Sequence, residues 1–299
     1  MFNDVFKYYK ARKPPPELCN VIDLEKVDET LVTRIPVSSE CKTCPNSILG
    51  LSPTESWNIF EFRRISGLFV IRNPFTTHGQ QDWIIRCLKN YPKKPNITNI
   101  DAHDLLNKDD TWWNTCFGIA PDNNLSSKLR WATLGYHHNW DTKQYAEESR
   151  TEMPKELVAL TRYFAEVLGF NDFRAEAAIV NYYRMNSTLA GHTDHSEPYL
   201  EAPLFSISFG QTAIFLIGGH NREDPADAIF LRSGDVIVMS GDSRLRYHGV
   251  PKILLDDSTV WDSECYPNKE DWSRAQSYIS QARINLNIRQ VLKPGQISL

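Results

Sequence analysis

No uninterrupted apolar run in this sequence approaches the ~18 residues of a membrane-spanning helix, so no membrane partner is expected. Glycine (14) and proline (17) are sparse among 299 residues, of which 41% are apolar. That composition is neither disordered, collagen-like nor low in complexity. Net charge is also small, 33 Lys and Arg against 37 Asp and Glu giving −4. The global basic footprint of a protein that coats nucleic acid non-specifically is therefore missing, and a nucleic-acid partner would have to meet a local patch or pocket. Cysteine is scarce too, six in all. A chain of this length buries roughly 75% of its unfolded surface and needs no disulfide staple. Reduced thiols in an intracellular protein are expected. Cys41-Lys42-Thr43-Cys44 is a lone CxxC with no second pair and no His pair at zinc-finger spacing. It reads as a loop turned at Pro45-Asn46 rather than a metal site.

What is present is strongly patterned. Phe2, Phe6 and Tyr9 recur at helical spacing among Lys7, Lys10, Arg12 and Lys13 before Pro14-Pro15-Pro16. An amphipathic docking helix is favoured there over a mitochondrial presequence, because Asp4 and the Tyr8-Tyr9 pair fit a presequence poorly. Residues 17–66 are polar and irregular and read as extension. From Gly67 the texture changes: Leu68–Ile71 is a strand stopped at Asn73-Pro74, and Trp83, Ile84, Cys87 and Leu88 recur at helical spacing up to Tyr91-Pro92. Pro154 opens a second helix whose apolar face is Leu157, Leu160, Phe164 and Leu168. Beyond Ala175 the pattern turns to strands at 177–183, 205–209, 213–217, 228–231, 236–239 and 283–291, with one helix over 271–280. The fold class expected is α+β, a jelly roll with supporting helices from the N-terminal half. The expected organisation is an extension (1–66) and one domain (67–299), split into helical support and lid (67–170) and a jelly-roll core (171–291).

His192-Thr193-Asp194 is the first candidate site. On an extended segment, residues two apart share one side, so an imidazole and a carboxylate can meet one metal. His195-Ser196-Glu197 offers a rival pair in the other register, and either could be surface loop. His248 follows 56 residues later, after four predicted strands able to bring it back. Two His and one carboxylate suit non-haem Fe(II), because three adjacent coordination positions stay open. Arg283 and Arg289, six residues apart, fall on one face of the last strand. Arginine on an otherwise apolar strand is expensive unless it meets an anion or water, so the pair points to a buried carboxylate or, less specifically, to an exposed edge.

Taken in order, Asn181-x-Tyr183, His192-x-Asp194, His248 and Arg283-x-Asn285-x3-Arg289 resemble the AlkB family of Fe(II)/2-oxoglutarate dioxygenases. Ser206–Gly210, Ala213–Phe215, Ser233-Gly234-Asp235 and Ser243-Arg244-Leu245 resemble that family's double-stranded β-helix. The resemblance covers about residues 67–291. The N-terminal helix, Leu129–Trp140, Phe173–Ala177 and the long stretch 249–282 look most similar to the AlkB homologue 1 subgroup. The resemblance implies that His192, Asp194 and His248 ligate iron and that Arg283, helped by Tyr183, pairs with the distal carboxylate of 2-oxoglutarate. It places Asn181 and Arg289 near the metal-binding end of the co-substrate, with Asn285 also on the co-substrate side. It further implies that 2-oxoglutarate and O2 are consumed while an N-methyl group on a nucleobase is hydroxylated and lost as formaldehyde. Methylated bases of tRNA, 1-methyladenine among them, or N6-methyladenine in DNA are the implied substrates, and a monomer in the nucleus or mitochondrion, with cytoplasm as the alternative, is the implied setting.

A methyl group on a base edge is out of reach in a stacked helix, so the base must be flipped or unpaired. Trp131, Tyr136, His138 and Trp140 lie where the family's base-binding lid lies and are candidates to stack on it. Lys128 and Arg130 are candidates for phosphates, with Arg222 or Arg244 as further rim cations. Bacterial family members place an acid two residues after the metal-ligand Asp, where this chain has Ser196. Two other readings stay open: the same chemistry on a protein or small molecule, and a non-enzymatic jelly-roll binding protein.

Overall fold

The computed structural model describes residues 1–37, 49–103, 105–107, 109–256 and 266–299. Cys41 and Cys44 lie outside the described residues. In chain order the elements are α1 (Phe2–Lys10), β1 (Val32–Ile35), β2 (Asn58–Phe62), β3 (Leu68–Arg72), α2 (Thr77–Ile85), β4 (Ile97–Thr98), α3 (Trp112–Phe117), α4 (Asn123–Ser126), β5 (Trp131–Gly135) and α5 (Lys155–Val167). The second half holds β6 (Ala177–Arg184), β7 (Leu189–His192), β8 (Leu204–Gly210), β9 (Thr212–Ile217), β10 (Asp227–Leu231), β11 (Val236–Met239), β12 (His248–Leu254), α6 (Lys269–Ile279) and β13 (Ala282–Arg289).

Two antiparallel sheets face each other. The larger has nine strands in the order β1-β2-β3-β11-β8-β13-β6-β5-β4, and the smaller has four in the order β10-β9-β12-β7. This is the jelly-roll core. The period-two pattern of β13 explains its double role: Ile284, Leu286 and Ile288 join Phe205, Ile207 and Phe209 of β8 in a core roofed by Trp83 and Ile84 of α2, Trp112 of α3, Leu160 and Phe164 of α5 and Ile279 of α6. Burying each such side chain is worth about 1.5–3 kcal/mol. The opposite face of the large sheet presents Tyr183, Ile237 and Met239 to Phe215, Ile229 and Val250 of the small one.

The described parts of the stretch 17–66 that was expected as an irregular extension, residues 17–37 and 49–66, are built into the body. Arg34↔Phe60 and Phe60↔Val70 pairings place β1 and β2 at the edge of the large sheet, where strands of four or five residues leave little periodic signal. Helix α1 packs Phe2 and Tyr9 on Ile214 and Leu216, covering the outer face of the small sheet as the amphipathic reading requires. Strand β12 was illegible because Pro251 interrupts it. The register shifts between Gly249 and Lys252, a bulge that tolerates a residue without an N–H.

Candidate metal and co-substrate centre

Strands β7 and β12 run side by side with His192 opposite His248, so the topology alone brings the two imidazoles together. Their ring centroids lie 4.4 Å apart. Asp194, two residues beyond the end of β7, completes the set: its carboxylate lies 3.6 Å from His192 Nε2 and 3.5 Å from His248 Nε2. One ligand atom from each residue falls within 4.8 Å of the others. Backbone carbonyls can only accept, so contacts of His192 Nδ1 to Ala190 O (2.9 Å) and of His248 Nδ1 to Arg246 O (3.1 Å) fix the proton on Nδ1 in both rings. Both Nε2 lone pairs are thereby aimed at the shared space, as metal ligation requires. Burial and the neighbouring His248 pull the His192 imidazole down to about 4, favouring the neutral, ligating form. Burial alone would raise the Asp194 carboxyl, but Arg289 and the two imidazoles outweigh it and hold it well below the ordinary range.

The rival pairing is resolved by the same geometry. His195 is exposed, whereas Glu197 is 3% exposed and accepts from two arginines, Arg289 Nη1 at 2.8 Å and Arg244 Nη2 at 2.9 Å. Arg289 also donates to Asp194 Oδ1 at 2.9 Å. Arg244, expected as a rim cation, is 2% exposed and donates to the Asp194 carbonyl at 2.6 Å, so it stands behind the centre and not at its rim.

Arg283 lies farther along the same face of β13. It is 1% exposed and pushed down to about 10 by burial. Nη2 donates to Ser208 Oγ at 2.8 Å, but Nε and Nη1 have no partner. The Tyr183 ring centroid is 5.7 Å away. Asn285 Nδ2 donates to Ser206 Oγ at 2.8 Å. Tyr183, Ser206, Arg283 and Asn285 line one narrow pocket with His192 and His248. Asn181 is half-buried and pairs with Asn285 on one side and Trp131 on the other. A buried guanidinium with two idle donors at one end, and two oriented imidazoles with a carboxylate at the other, match a dianion that spans from a metal to a cation. The donor set thus fits both Fe(II) and a dicarboxylate.

The aromatic candidates divide. Trp131 and Trp140 lie 5.3 Å apart, His138 and Trp140 4.8 Å, and His138 and Tyr145 5.3 Å, forming one partly exposed cluster. Tyr136 is not in it. That ring is 1% exposed in a small core with Ala177, Val291 and Leu292, its hydroxyl bonded to Glu147 and its face covered by Arg150, and Tyr145 of the cluster packs against that core. Lys128 and Arg130 are exposed, their backbone held by Asn99 beside the start of β5. Glu197, Tyr145 and Ser208 belong to the centre although sequence reasoning did not select them. Glu197 was visible only as half of a rival pair, and a lone Tyr or Ser carries no spacing signal.

Comparison with known proteins agrees with this geometry. Residues 67–289 match the 2OG-Fe(II) oxygenase superfamily. The chain is 36% identical to "Nucleic acid dioxygenase ALKBH1" of Mus musculus over 99% of its length and 85% of that protein, and equally to the Homo sapiens protein of that name over the same shares. It is 32% identical to "tRNA demethylase abh1" of Schizosaccharomyces pombe, over 78% of this chain and 82% of that one. Fe(II) is the cofactor and 2-oxoglutarate and O2 are the co-substrates of this superfamily, and the chain belongs to it as an AlkB-family dioxygenase of the ALKBH1 type.

Proposed function

We propose that this protein is an Fe(II)- and 2-oxoglutarate-dependent demethylase of methylated nucleobases, with tRNA 1-methyladenine and related tRNA bases as first candidates and DNA N6-methyladenine as a further one. The observation that carries the reading is that two members of the His192/Asp194/His248 metal cluster, His192 and His248, line one pocket with the Arg283 guanidinium, which no carboxylate matches. His192, Asp194 and His248 would hold the iron, which when bound supplies the oxidising chemistry for C–H hydroxylation. Arg283 would pair with the distal carboxylate, backed by Ser208 and Tyr183. Asn181 and Asn285 would flank the co-substrate between the two ends. Arg289 holds Asp194 in place from behind. Relatives named as acting on nucleic acid, tRNA, DNA N(6)-methyladenine and N6-methyladenosine RNA support the substrate class. Trp131, His138 and Trp140 offer the stacking surface for an extruded base, worth about 1–3 kcal/mol per base, and Lys128 and Arg130 stand near it for phosphates. Free thiols at Cys19, Cys87 and Cys116 fit a reducing compartment, such as the nucleus or mitochondrion.

Anaerobic addition of Fe(II) and then 2-oxoglutarate should give a visible charge-transfer absorbance that Asp194→Ala abolishes. A wild-type protein without that band would contradict the metal assignment. Succinate formation stimulated by methylated oligonucleotides, and not by methylated peptides, would favour the nucleobase reading over a protein substrate.

A further inference from the structure

A closed ring of buried polar contacts stands behind the metal cluster. Arg289 Nη2 donates to the Asp194 carboxylate and Nη1 to Glu197 Oε1. Arg244 Nη2 donates to Glu197 Oε2 and Nη1 to the Asp194 backbone carbonyl. Asp194 is therefore held at both its side chain and its main chain through one carboxylate, Glu197. All four residues are less than 9% exposed, so water does not screen the ring. One further bond leaves it: Tyr145 donates its hydroxyl to Glu197 Oε1 at 2.9 Å, the same oxygen that accepts from Arg289.

Tyr145 belongs to a small loop and also packs against the core of Tyr136, Ala177, Val291 and Leu292. Asn139 N donates to Gln144 O at 2.9 Å, and the Asn139 side chain accepts from the backbone N–H groups of Asp141 and Thr142. The loop presents Trp140, 46% exposed, and its Tyr145 ring packs on His138. It meets the large sheet at Trp131, and it reaches the metal ligand through Tyr145 and Glu197.

We propose that Glu197 is a positioning residue that couples this aromatic loop to Asp194, so that fixing a metal on Asp194 also orders residues 138–145, and ordering the loop strengthens metal binding. The inference rests on the reading of His192, Asp194 and His248 as a metal site. Its logic is linkage. A cation that pins the Asp194 carboxylate pins Arg289, which shares Glu197 Oε1 with Tyr145, and any such coupling acts equally in both directions. A base stacked on Trp140 thereby stands on a surface whose order reports that the metal is in place.

The test needs no turnover. Hydrogen exchange is followed in the full-length protein, metal-free and loaded with Ni(II). In the wild type, Ni(II) should slow exchange in residues 138–145 as well as in β7 and β12. In Tyr145→Phe, β7 and β12 should remain protected by the metal while the effect on 138–145 disappears, and Ni(II) affinity should fall by about fivefold or more. Glu197→Gln, which keeps the shape and removes the charge, should lose the same loop protection. A purely structural Tyr145 would loosen the loop equally with and without metal, and that result would overturn the proposal, as would a wild-type loop indifferent to Ni(II) while β7 and β12 respond. No metal-dependent protection anywhere would contradict the metal reading itself and this inference with it.

Discussion

Arg283 and Arg289 occupy the same face of β13, yet only Arg289 is matched by carboxylates. Arg289 contacts Asp194 at 2.9 Å and Glu197 at 2.8 Å, whereas Arg283 keeps two buried donors without a partner. The folded chain thus carries one arginine whose charge is matched by two carboxylates at the metal end, although its Nε has no partner, and one arginine with no carboxylate that awaits an anion. Burying an unpaired cation is destabilising, so the second is retained at the expense of stability.

Arg283→Met should therefore raise the stability of the ligand-free protein by about 1–2 kcal/mol, because an uncompensated charge is replaced by an apolar side chain of similar length. The same variant should need far more 2-oxoglutarate for half-maximal succinate formation, with little change in the nucleic-acid requirement. Thermal unfolding together with two-substrate kinetics checks both halves; a rise confined to the nucleic-acid requirement would show that the arginine roles are wrong.

Asp194→Ala should abolish succinate and formaldehyde formation while leaving the fold intact, as judged by circular dichroism. Stability should still decline, because Arg289 loses one of its two carboxylates while Glu197 remains to hold it; removing one partner of a buried pair is costly, about 3–5 kcal/mol when nothing compensates.

Gly191→Ala tests how α1 supports the metal strand. A Cβ at Gly191 would lie 2.4 Å from Phe2 Cε1, and Phe2 is itself 1% exposed, so the ring has little room to yield. The substitution should cost about 1–3 kcal/mol and lower metal affinity by displacing His192 next to it. In a Phe2→Ala background the cost of Gly191→Ala should shrink sharply, and denaturation midpoints of the four proteins give the coupling directly. Additive effects would show that α1 does not press on β7.

The pH dependence of stability has an identifiable contributor in His137. Burial holds its imidazole below the ordinary 6.5, between the hydroxyls of Thr133 (2.8 Å from Nδ1) and Thr151 (3.1 Å from Nε2). Because the folded value lies below the unfolded one, the unfolded chain takes up a proton first. Stability should fall as pH is lowered through about 6.5 and level off below the folded value. His137→Gln should flatten that slope in urea titrations between about pH 7 and 5, and an unchanged slope would assign the effect elsewhere.

Much of this centre was legible before the fold was known, for definite reasons. His192 and Asp194 are two residues apart, the spacing that shares one side of an extended segment, His248 follows four predicted strands, and Arg283 and Arg289 are charges on a strand that also carries Ile284, Leu286 and Ile288. These are local patterns that sheet geometry converts into contacts. Strands β1, β2, β4, β5 and β7 were not legible, since two to five residues at a sheet edge or a hairpin carry little periodicity. Tyr136 shows the limit of composition: its neighbours Trp131 and His138 join the partly exposed aromatic cluster, but Gly135 takes a φ of +71° and the chain turns, sending the Tyr136 ring into the core with Ala177, Val291 and Leu292. Glu197 shows the complementary limit, because its importance lies in two arginines 47 and 92 residues away. The small negative net charge, which argued against bulk nucleic-acid binding, is compatible with a site that recognises one extruded base and needs only a local rim such as Lys128 and Arg130.

The most direct test of the central claim is quantitative mass spectrometry of modified nucleosides after incubating the protein and Fe(II) with total tRNA and with N6-methyladenine-containing single-stranded DNA, with and without 2-oxoglutarate. The account predicts loss of a methylated nucleoside only when 2-oxoglutarate is present, with formaldehyde and succinate appearing and with Asp194→Ala inactive. Turnover of 2-oxoglutarate with every methylated nucleoside unchanged would contradict it.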